Sequence, residues 1–403
     1  MAAPTTNVDE VLAELLTPEG RRDLAGVFRR LHDLGELHRS AFLGRFVTSY
    51  RNVDAVLRDP RVVRTRPGRP APLPGHDEHS SRRLLNTTFM LQDPPDHTRI
   101  RRLVSKAFTP RSVAGLRSAI EEILAARLDR LSGDVDLMNE LAFPFPVAVI
   151  GRLIGVPEAD QPPFQRLVRD LTDALDLAVA DSDLSRSDAA ADTILEYFRG
   201  LVAERRRQPA DDLVSALIAV REEGDRLTED ELLATLTLLF LAGFETTTNL
   251  IGNGMYALLS HPDELAALRA DPATMPAAVE ELLRFDTPVQ VIPRVTAEEV
   301  TLPDGTVIPG DRHLLVLLGA ANHDPRAFSD PGVLRLNRAE AATLSFGSGI
   351  HYCLGAGLAR LEAQLVFGAM LDRFPSIELA GTPQWRDGLT VRGLDRLPLT
   401  LKQ

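Results

Sequence analysis

The chain has 403 residues, more than one domain usually needs and enough for a large buried core. Its 44% hydrophobic and 25% charged residues are ordinary for a soluble globular protein. The 45 basic and 57 acidic residues leave a net charge of −12, which argues against nucleic-acid binding, although a local basic patch could still receive an acidic partner.

Residues 1 to about 9 read as a loose tail, and 10–403 as a single domain. The start lacks a basic region followed by an apolar run, so no signal peptide is expected. Phe42–Tyr50 has the β-branched character of a strand. Helical spacing of apolar residues, punctuated by Pro or Gly, predicts helices over Arg99–Ala107, Val113–Leu131, Phe164–Leu177, Ala189–Arg207, Asp211–Glu222, Glu229–Leu259, Pro262–Ala270, Pro276–Arg284 and Leu354–Arg373. Arg294–Leu318 reads as strands, with Asp304-Gly305 as a hairpin turn. The expected fold is mainly α with a smaller β region formed by segments distant in sequence. Leu232–Phe244 is the most apolar stretch, but Glu245 interrupts it before it could span a bilayer, so no membrane segment is expected. The single cysteine allows no internal disulfide, which points to a reducing, cytoplasmic setting.

Four short stretches carry the chemistry. In "LQDPPDHTRIRRLVSKAF", Asp93 is the expected N-cap and Pro94 the first helical residue. His97 and Arg101, four apart, share a helical face. A solvated basic face suits Arg102 and Lys106; an anionic ligand held by His97 and Arg101 is the sharper alternative. Thr228 and Glu231 form an expected capping box for the long apolar helix, into which "AGFETTTN" (Ala242 to Asn249) puts a glycine, an acid and three threonines. Either Gly243 marks a close helix crossing with Glu245 paired to an arginine, or a widened turn there offers an acid–alcohol pair for proton delivery beside a groove for a small molecule such as dioxygen. Glu281 and Arg284, three apart, read on their own as a surface ion pair.

The fourth stretch, "LSFGSGIHYCLGAGLARLEAQ", holds the lone Cys353. Gly347, Gly349 and Gly355 permit tight turns and close approach of the backbone to something flat. A helix starting near Leu354 would point its amides at the sulfur and favour thiolate. A nucleophile would need a general base, and His351 is only two residues away. A dinucleotide loop lacks its third glycine, and a zinc site lacks a second cysteine. One sulfur ligand suits an iron whose other positions a macrocycle fills.

"FGSGIHYCLG" (Phe346 to Gly355) resembles the haem-binding loop of the cytochrome P-450 family, and the remaining motifs follow in that family's order along essentially the whole chain. The resemblance implies a single-domain fold with a b-type haem between two central helices and Cys353 thiolate as its axial ligand. "HTRIR" is similar to the helix that holds the haem propionates, which assigns His97 and Arg101 to that role; Arg294 and His351 match the remaining propionate positions. Ala242 and Gly243 would border the oxygen groove, with Glu245 and Thr246 delivering protons. Phe346, Gly347 and Gly355 would shape the loop around the sulfur. "ELLR" resembles the structural E-x-x-R pair, which makes Glu281 and Arg284 partners and adds Arg338 to their network; "ANHDPRAFSDP", ending at Pro331, looks like the meander region.

By family position, substrate would meet Leu85, Phe89, Met90, the stretch Leu171–Val179, Leu238, Leu241, Val289, Gln290, Val291, Ile292, Leu389 and Thr390, a lining suited to a bulky apolar molecule. The Asp/Ser-rich Ala180–Asp192 is expected to form a mobile lid. The implied function is a haem-dependent monooxygenase that inserts one atom of O2 into a hydrophobic small molecule of polyketide or macrolide type in antibiotic-type biosynthesis. Oxidative coupling or desaturation at the same centre, or a non-catalytic haem-thiolate sensor or carrier, are the rival readings. The implied partners are a ferredoxin and its NAD(P)H-dependent reductase, docking near Arg102, Lys106 and Arg111; a monomer is expected.

Overall fold

In the computed structural model, which describes residues 7–15, 17–40, 44–65, 75, 77–107, 109, 113, 115–176, 183–220 and 225–402, short β-branched segments from both ends of the chain pair into one five-stranded sheet. Its order is Leu37–Ser40, Gly44–Val47, Arg312–Leu317, Val291–Thr296, Val62–Val63. Gly44–Val47 lies parallel to Arg312–Leu317, whereas Val291–Thr296 runs antiparallel to it with Arg294 opposite Leu314. The Asp304-Gly305 turn forms as its sequence predicts. Gly305 sits at φ +87°, its N–H donates to the Leu302 carbonyl, and the small hairpin Val300–Thr301/Val307–Ile308 closes around it. Val47, Leu314 and Val316 of the sheet pack with Val53 and Val56 of helix Tyr50–Arg58, and Leu344, which leads into the cysteine loop, joins the same core.

Contacts divide the chain into two compact units. The sheet belongs to the unit drawn from residues 1–68, 252–353 and 381–397. The other unit draws on 69–251, 354–380 and 398–403 and is helical apart from a three-stranded antiparallel sheet in the order Gly133–Asp136, Pro398–Lys402, Ser376–Leu379. Its helices Phe164–Thr172 and Ser185–Arg207 meet the long helix through Phe164, Phe198 and Phe240, with the Phe164 and Phe240 rings 4.6 Å apart. The fold is therefore mainly α with a smaller β part.

The long helix runs from Glu229 to Ser260 and carries the expected capping box: the Glu231 N–H donates to Thr228 Oγ1 at 3.3 Å, and the Thr228 N–H donates back to Glu231 Oε2 at 2.8 Å. By length and composition it could cross a membrane, but its apolar window is 78% buried within the protein, as a core helix is.

Several boundaries differ from expectation, each for a local reason. Asn7 caps a helix Val8–Glu14 inside the stretch expected to be a tail, with Glu10 reaching back to the cap; residues 1–6 lie outside the described residues. The His97 helix begins at Asp96 instead of Pro94, because a residue before proline avoids the α region and Pro94 precedes Pro95. Pro144–Ile154 is a helix the sequence reading missed: Pro144 stands at the first turn, where its missing N–H costs nothing. Ser185–Asp192, expected in a lid, already belongs to a helix whose Ser185 N–H is held by Asp183; positions 180–182 lie outside the described residues, as do 177–179 of the pocket stretch and 42–43 of the first expected strand.

Three histidines are buried in the sheet-bearing unit. His32 Nε2 lies 2.8 Å from the Ala320 carbonyl, His323 Nδ1 3.0 Å from the Gly319 carbonyl, and His38 stacks on Phe46. Burial lowers all three from the ordinary histidine value, His38 to about 4 and His323 to about 3. Each is thus neutral in the fold but takes a proton near pH 6.5 when unfolded. Their contribution to stability is complete above about pH 6.5 and is lost as the pH falls toward 4 and then 3. In urea unfolding followed between pH 7 and 4, His323→Phe should flatten the fall in stability by about one proton relative to the parent chain; parallel curves would show that His323 does not titrate on unfolding.

Candidate active site

The ion pair read as a possible surface bridge is buried. Arg284 donates through Nε and Nη2 to the two carboxylate oxygens of Glu281 at 2.7 and 2.8 Å, and each side chain is 2% exposed. Arg338 Nε adds two bonds to Glu281 at 3.1 Å, and the Arg335 N–H a further one at 2.9 Å. The remaining donor of Arg284, Nη1, caps the carbonyls of Asn322 and Pro331 at 2.8 and 2.9 Å. Asn322 hands the constraint on: its Oδ1 accepts from the Leu344 N–H at 2.8 Å and its Nδ2 donates to Ser345 Oγ, which in turn donates to the Leu283 carbonyl. The buried network thus pins residues 344–345, where the cysteine loop begins.

From there the loop turns on two glycines in the left-handed region, Gly347 at φ +71° and Gly349 at φ +69°. Gly347 N–H donates to the Leu344 carbonyl and Cys353 N–H to the Phe346 carbonyl at 3.0 Å, folding the strand of residues back on itself. Ser348 Oγ donates to Asp54 Oδ1 at 2.6 Å. Gly349 has a second reason to lack a side chain: a Cβ there would lie 2.2 Å from the Leu57 carbonyl oxygen. Cys353 is exposed on this loop, Phe346 is half-buried, and the Phe346 and Tyr352 rings lie 6.4 Å apart. His351 ends a short 3-10 turn beginning at Gly349. Arg294, 3% exposed, sits in the sheet strand. The helix expected from Leu354 begins at Ala356, with Gly355 as its non-helical cap residue.

The other unit carries the remaining residues. His97 is 2% exposed with the Phe89 ring 6.4 Å away, and Arg101, one turn on, is half-buried. Helix Asp96–Ala107 is tied to the start of the long helix by Arg99, which pairs with Glu231 and Asp225. The long helix stays α-helical through Ala242–Asn249, so the widened turn does not appear as a break in it. Gly243 does mark a close crossing: a Cβ there would lie 2.8 Å from Ile150 Cδ1. Glu245 is buried and accepts a 2.6 Å hydrogen bond from Thr172 Oγ1. Thr246 Oγ1 donates to the Ala242 carbonyl at 2.9 Å. Ala242 is exposed and Thr246 half-exposed, one turn apart on a helix whose Leu241, Phe244 and Glu245 are buried. Thr172, 73 residues from Glu245 in sequence, escaped the sequence reading as a partner; no local signal marks it.

The expected pocket residues fall into two groups. Val289–Ile292 and Leu389–Thr390 come together in one unit, where the Gln290 N–H donates to the Thr390 carbonyl at 2.9 Å and Val289 bridges Val391. Leu85, Phe89, Met90, Leu238 and Leu241 lie in the other, buried except for the half-buried Met90.

An exposed thiol on a braced, glycine-turned loop suits a thiolate-held cofactor. The chain matches the Cytochrome P450 family over residues 47–386 and belongs to it. It is 43% identical over 370 residues to Cytochrome P450 107B1 of Saccharopolyspora erythraea, covering 88% of each chain, and 40% identical over 375 residues to 6-deoxyerythronolide B hydroxylase of the same organism, covering 89% and 91%. Its fold superposes on that of the bacillaene polyketide synthase cytochrome P450 PksS of Bacillus subtilis with a TM-score of 0.86 at 35% identity, covering 96% and 99%. The protein is a cytochrome P450 monooxygenase. That family implies haem with a cysteine thiolate ligand, and the residues fit it. Cys353 is the sole thiol and is exposed, and a Cβ at Gly347 or Gly355 would meet nothing within 4 Å, so the loop leaves open space beside the cysteine.

Two sets of variants test this scaffold by urea unfolding. Gly349→Ala should cost about 3 kcal/mol, from positive φ and the Leu57 clash together, whereas Gly347→Ala, which meets nothing within 4 Å, should cost only about 1 kcal/mol. Equal losses would contradict the assigned clash. Arg284→Lys, which cannot reproduce the planar fork, should cost about 3 kcal/mol; a loss below about 1 kcal/mol would show that the network is dispensable.

Proposed function

We propose that this chain binds one b-type haem through Cys353 thiolate within a single monooxygenase domain spanning residues 10–403, and oxidises bulky apolar small molecules of the polyketide or macrolide type. The observation that carries the reading is the Cys353 loop: one exposed thiol, its own N–H folded back onto the Phe346 carbonyl, on a turn braced by Gly347 and Gly349. When bound, the haem supplies reductive activation of dioxygen, one atom passing to substrate and the other to water. Phe346, whose carbonyl accepts the Cys353 N–H, is the residue assigned to pack near the sulfur. His97, Arg101, Arg294 and His351 are the donors assigned to the two propionates, since charge-assisted bonds to carboxylates are the strong ones. Ala242 and Gly243 keep the helix surface low where a small molecule must fit. Glu245, buried and bonded to Thr172, is the acid assigned to proton delivery, and Thr246, whose Oγ1 rests on the Ala242 carbonyl, is the alcohol.

The substrate class rests on the mostly aliphatic residues that the family resemblance assigns to substrate, with Gln290 and Thr390 as the polar exceptions, and on a relative named 6-deoxyerythronolide B hydroxylase. Electrons come from an external ferredoxin and reductase, and exposed Arg102 and Lys106 are the docking cations; Arg111 lies outside the described residues. A single cysteine, which allows no internal disulfide, suits the reducing cytoplasm.

The protein purified from haem-sufficient cells should be coloured, and its reduced form under carbon monoxide should show a Soret band shifted far to the red. Cys353→Ser should lose that band while keeping its helical circular dichroism. A folded but colourless parent protein ends the proposal. A panel of macrolactones, linear polyketides and fatty acids, read by the substrate-induced change of haem spin state, then tests the substrate class; response only to fatty acids would overturn it.

A further inference from the structure

Thr172, at the end of helix Phe164–Thr172, has one hydroxyl proton and two acceptors in reach: Glu245 Oε2 at 2.6 Å and the Val168 carbonyl at 2.8 Å. It can serve only one at a time. When Glu245 is a carboxylate, the charge-assisted bond to Oε2 is the stronger, and the hydroxyl points there. When Glu245 carries a proton, its own O–H becomes the donor, Thr172 Oγ1 accepts it, and the Thr172 hydroxyl turns to the Val168 carbonyl. Thr172 Oγ1 and Glu245 Oε2 stay bonded to each other in both states, although Thr172 is 8% and Glu245 2% exposed.

We propose that Thr172 is the positioning residue for Glu245, aiming its carboxyl group and turning over as that group gains or loses a proton. This deepens the monooxygenase reading and rests on its assignment of Glu245. No covalent bond to Thr172 breaks in the cycle and only its hydroxyl proton changes acceptor: the proton that Glu245 gains comes from water, and the proton it yields goes toward Thr246, its neighbour on the same helix. Asn249, four residues on from Glu245 and therefore on the same face, is fully buried, and its amide nitrogen and oxygen have no protein partner among the described residues. A buried amide of that kind binds water, which supplies the donor. The nearest cation on the Thr172 helix, Arg169, one turn earlier, lies over the Phe143 ring at 4.3 Å. Acting across two helices, the arrangement fixes the acid where packing alone would leave its terminal torsion broad.

Infrared difference spectra of the purified haem-loaded protein, in H2O and D2O and without substrate, test this directly. The carboxyl band of Glu245 is the one that Glu245→Gln removes. Thr172→Val keeps the side-chain shape but has no hydroxyl, and should shift that band; Thr172→Ser should return it. In ferredoxin-driven turnover with 6-deoxyerythronolide B as probe, Thr172→Val should lower product formed per NAD(P)H roughly tenfold, and adding it to Glu245→Gln should cost nothing more. An unmoved carboxyl band in Thr172→Val overturns the proposal whether or not the probe is oxidised, and so does a loss that adds in full to that of Glu245→Gln. A parent protein without haem-thiolate absorption fails the functional reading instead, and the Thr172–Glu245 bond then remains readable from the same band.

Discussion

A guanidinium with nowhere to go organises the thiol-bearing part of this protein. Arg284 is removed from water, and a charge so placed is tolerated only when paired and fully hydrogen-bonded. Glu281 supplies the counter-charge, and the carbonyls of Asn322 and Pro331 take what remains. Because those carbonyls belong to a long irregular stretch, satisfying Arg284 dictates the course of that stretch. Asn322 then fixes Leu344 and Ser345, and the loop that ends in Cys353 starts from a set position. A segment without regular secondary structure gains in this way the rigidity that a ligand-bearing loop needs.

The long helix solves the opposite problem. Its burial favours uniform apolarity, yet it carries Gly243, Glu245 and Thr246 in succession. Each departure has a local compensation. Gly243 leaves room for the Ile150 side chain, Glu245 is met by a hydroxyl from a neighbouring helix, and Thr246 bonds back to its own helix. The hydroxyl of Thr246 is satisfied by the Ala242 carbonyl one turn back, the local partner open to a threonine inside a helix. Local rules broken in a buried element and repaired one by one are what a reactive site looks like from the standpoint of folding.

Much of this was legible without coordinates. The cysteine loop, the capping box at Thr228 and the Asp304-Gly305 turn are read within a few residues, because their physics is local: a cap bonds three positions away, and a turn closes over four. Periodicity likewise located the long helix and Phe164–Thr172, Ser185–Arg207 and Pro262–Ala270 to within a few residues. It failed where proline misled. Pro144 and Pro146 open a helix that is not among the predicted ones, although a proline in the first turn forfeits no hydrogen bond, and Pro94-Pro95 delays a helix by two residues because each proline restricts the residue before it. Short strands such as Val62–Val63 carry too few residues for any period to register.

By itself, the sequence determined which chemical groups exist and how they are spaced along one element: a single sulfur among glycines, an acid beside an alcohol, an acid three residues before an arginine. It could not say that Glu281–Arg284 is buried and not on the surface, nor that Glu245 meets Thr172, nor that Gly349 lies against the Leu57 carbonyl. Those facts arise between segments tens to hundreds of residues apart, and burial and pairing are properties of what surrounds a group in space. Local spacing sets the chemistry available; only tertiary packing removes the water that decides what each charge and hydroxyl must bind.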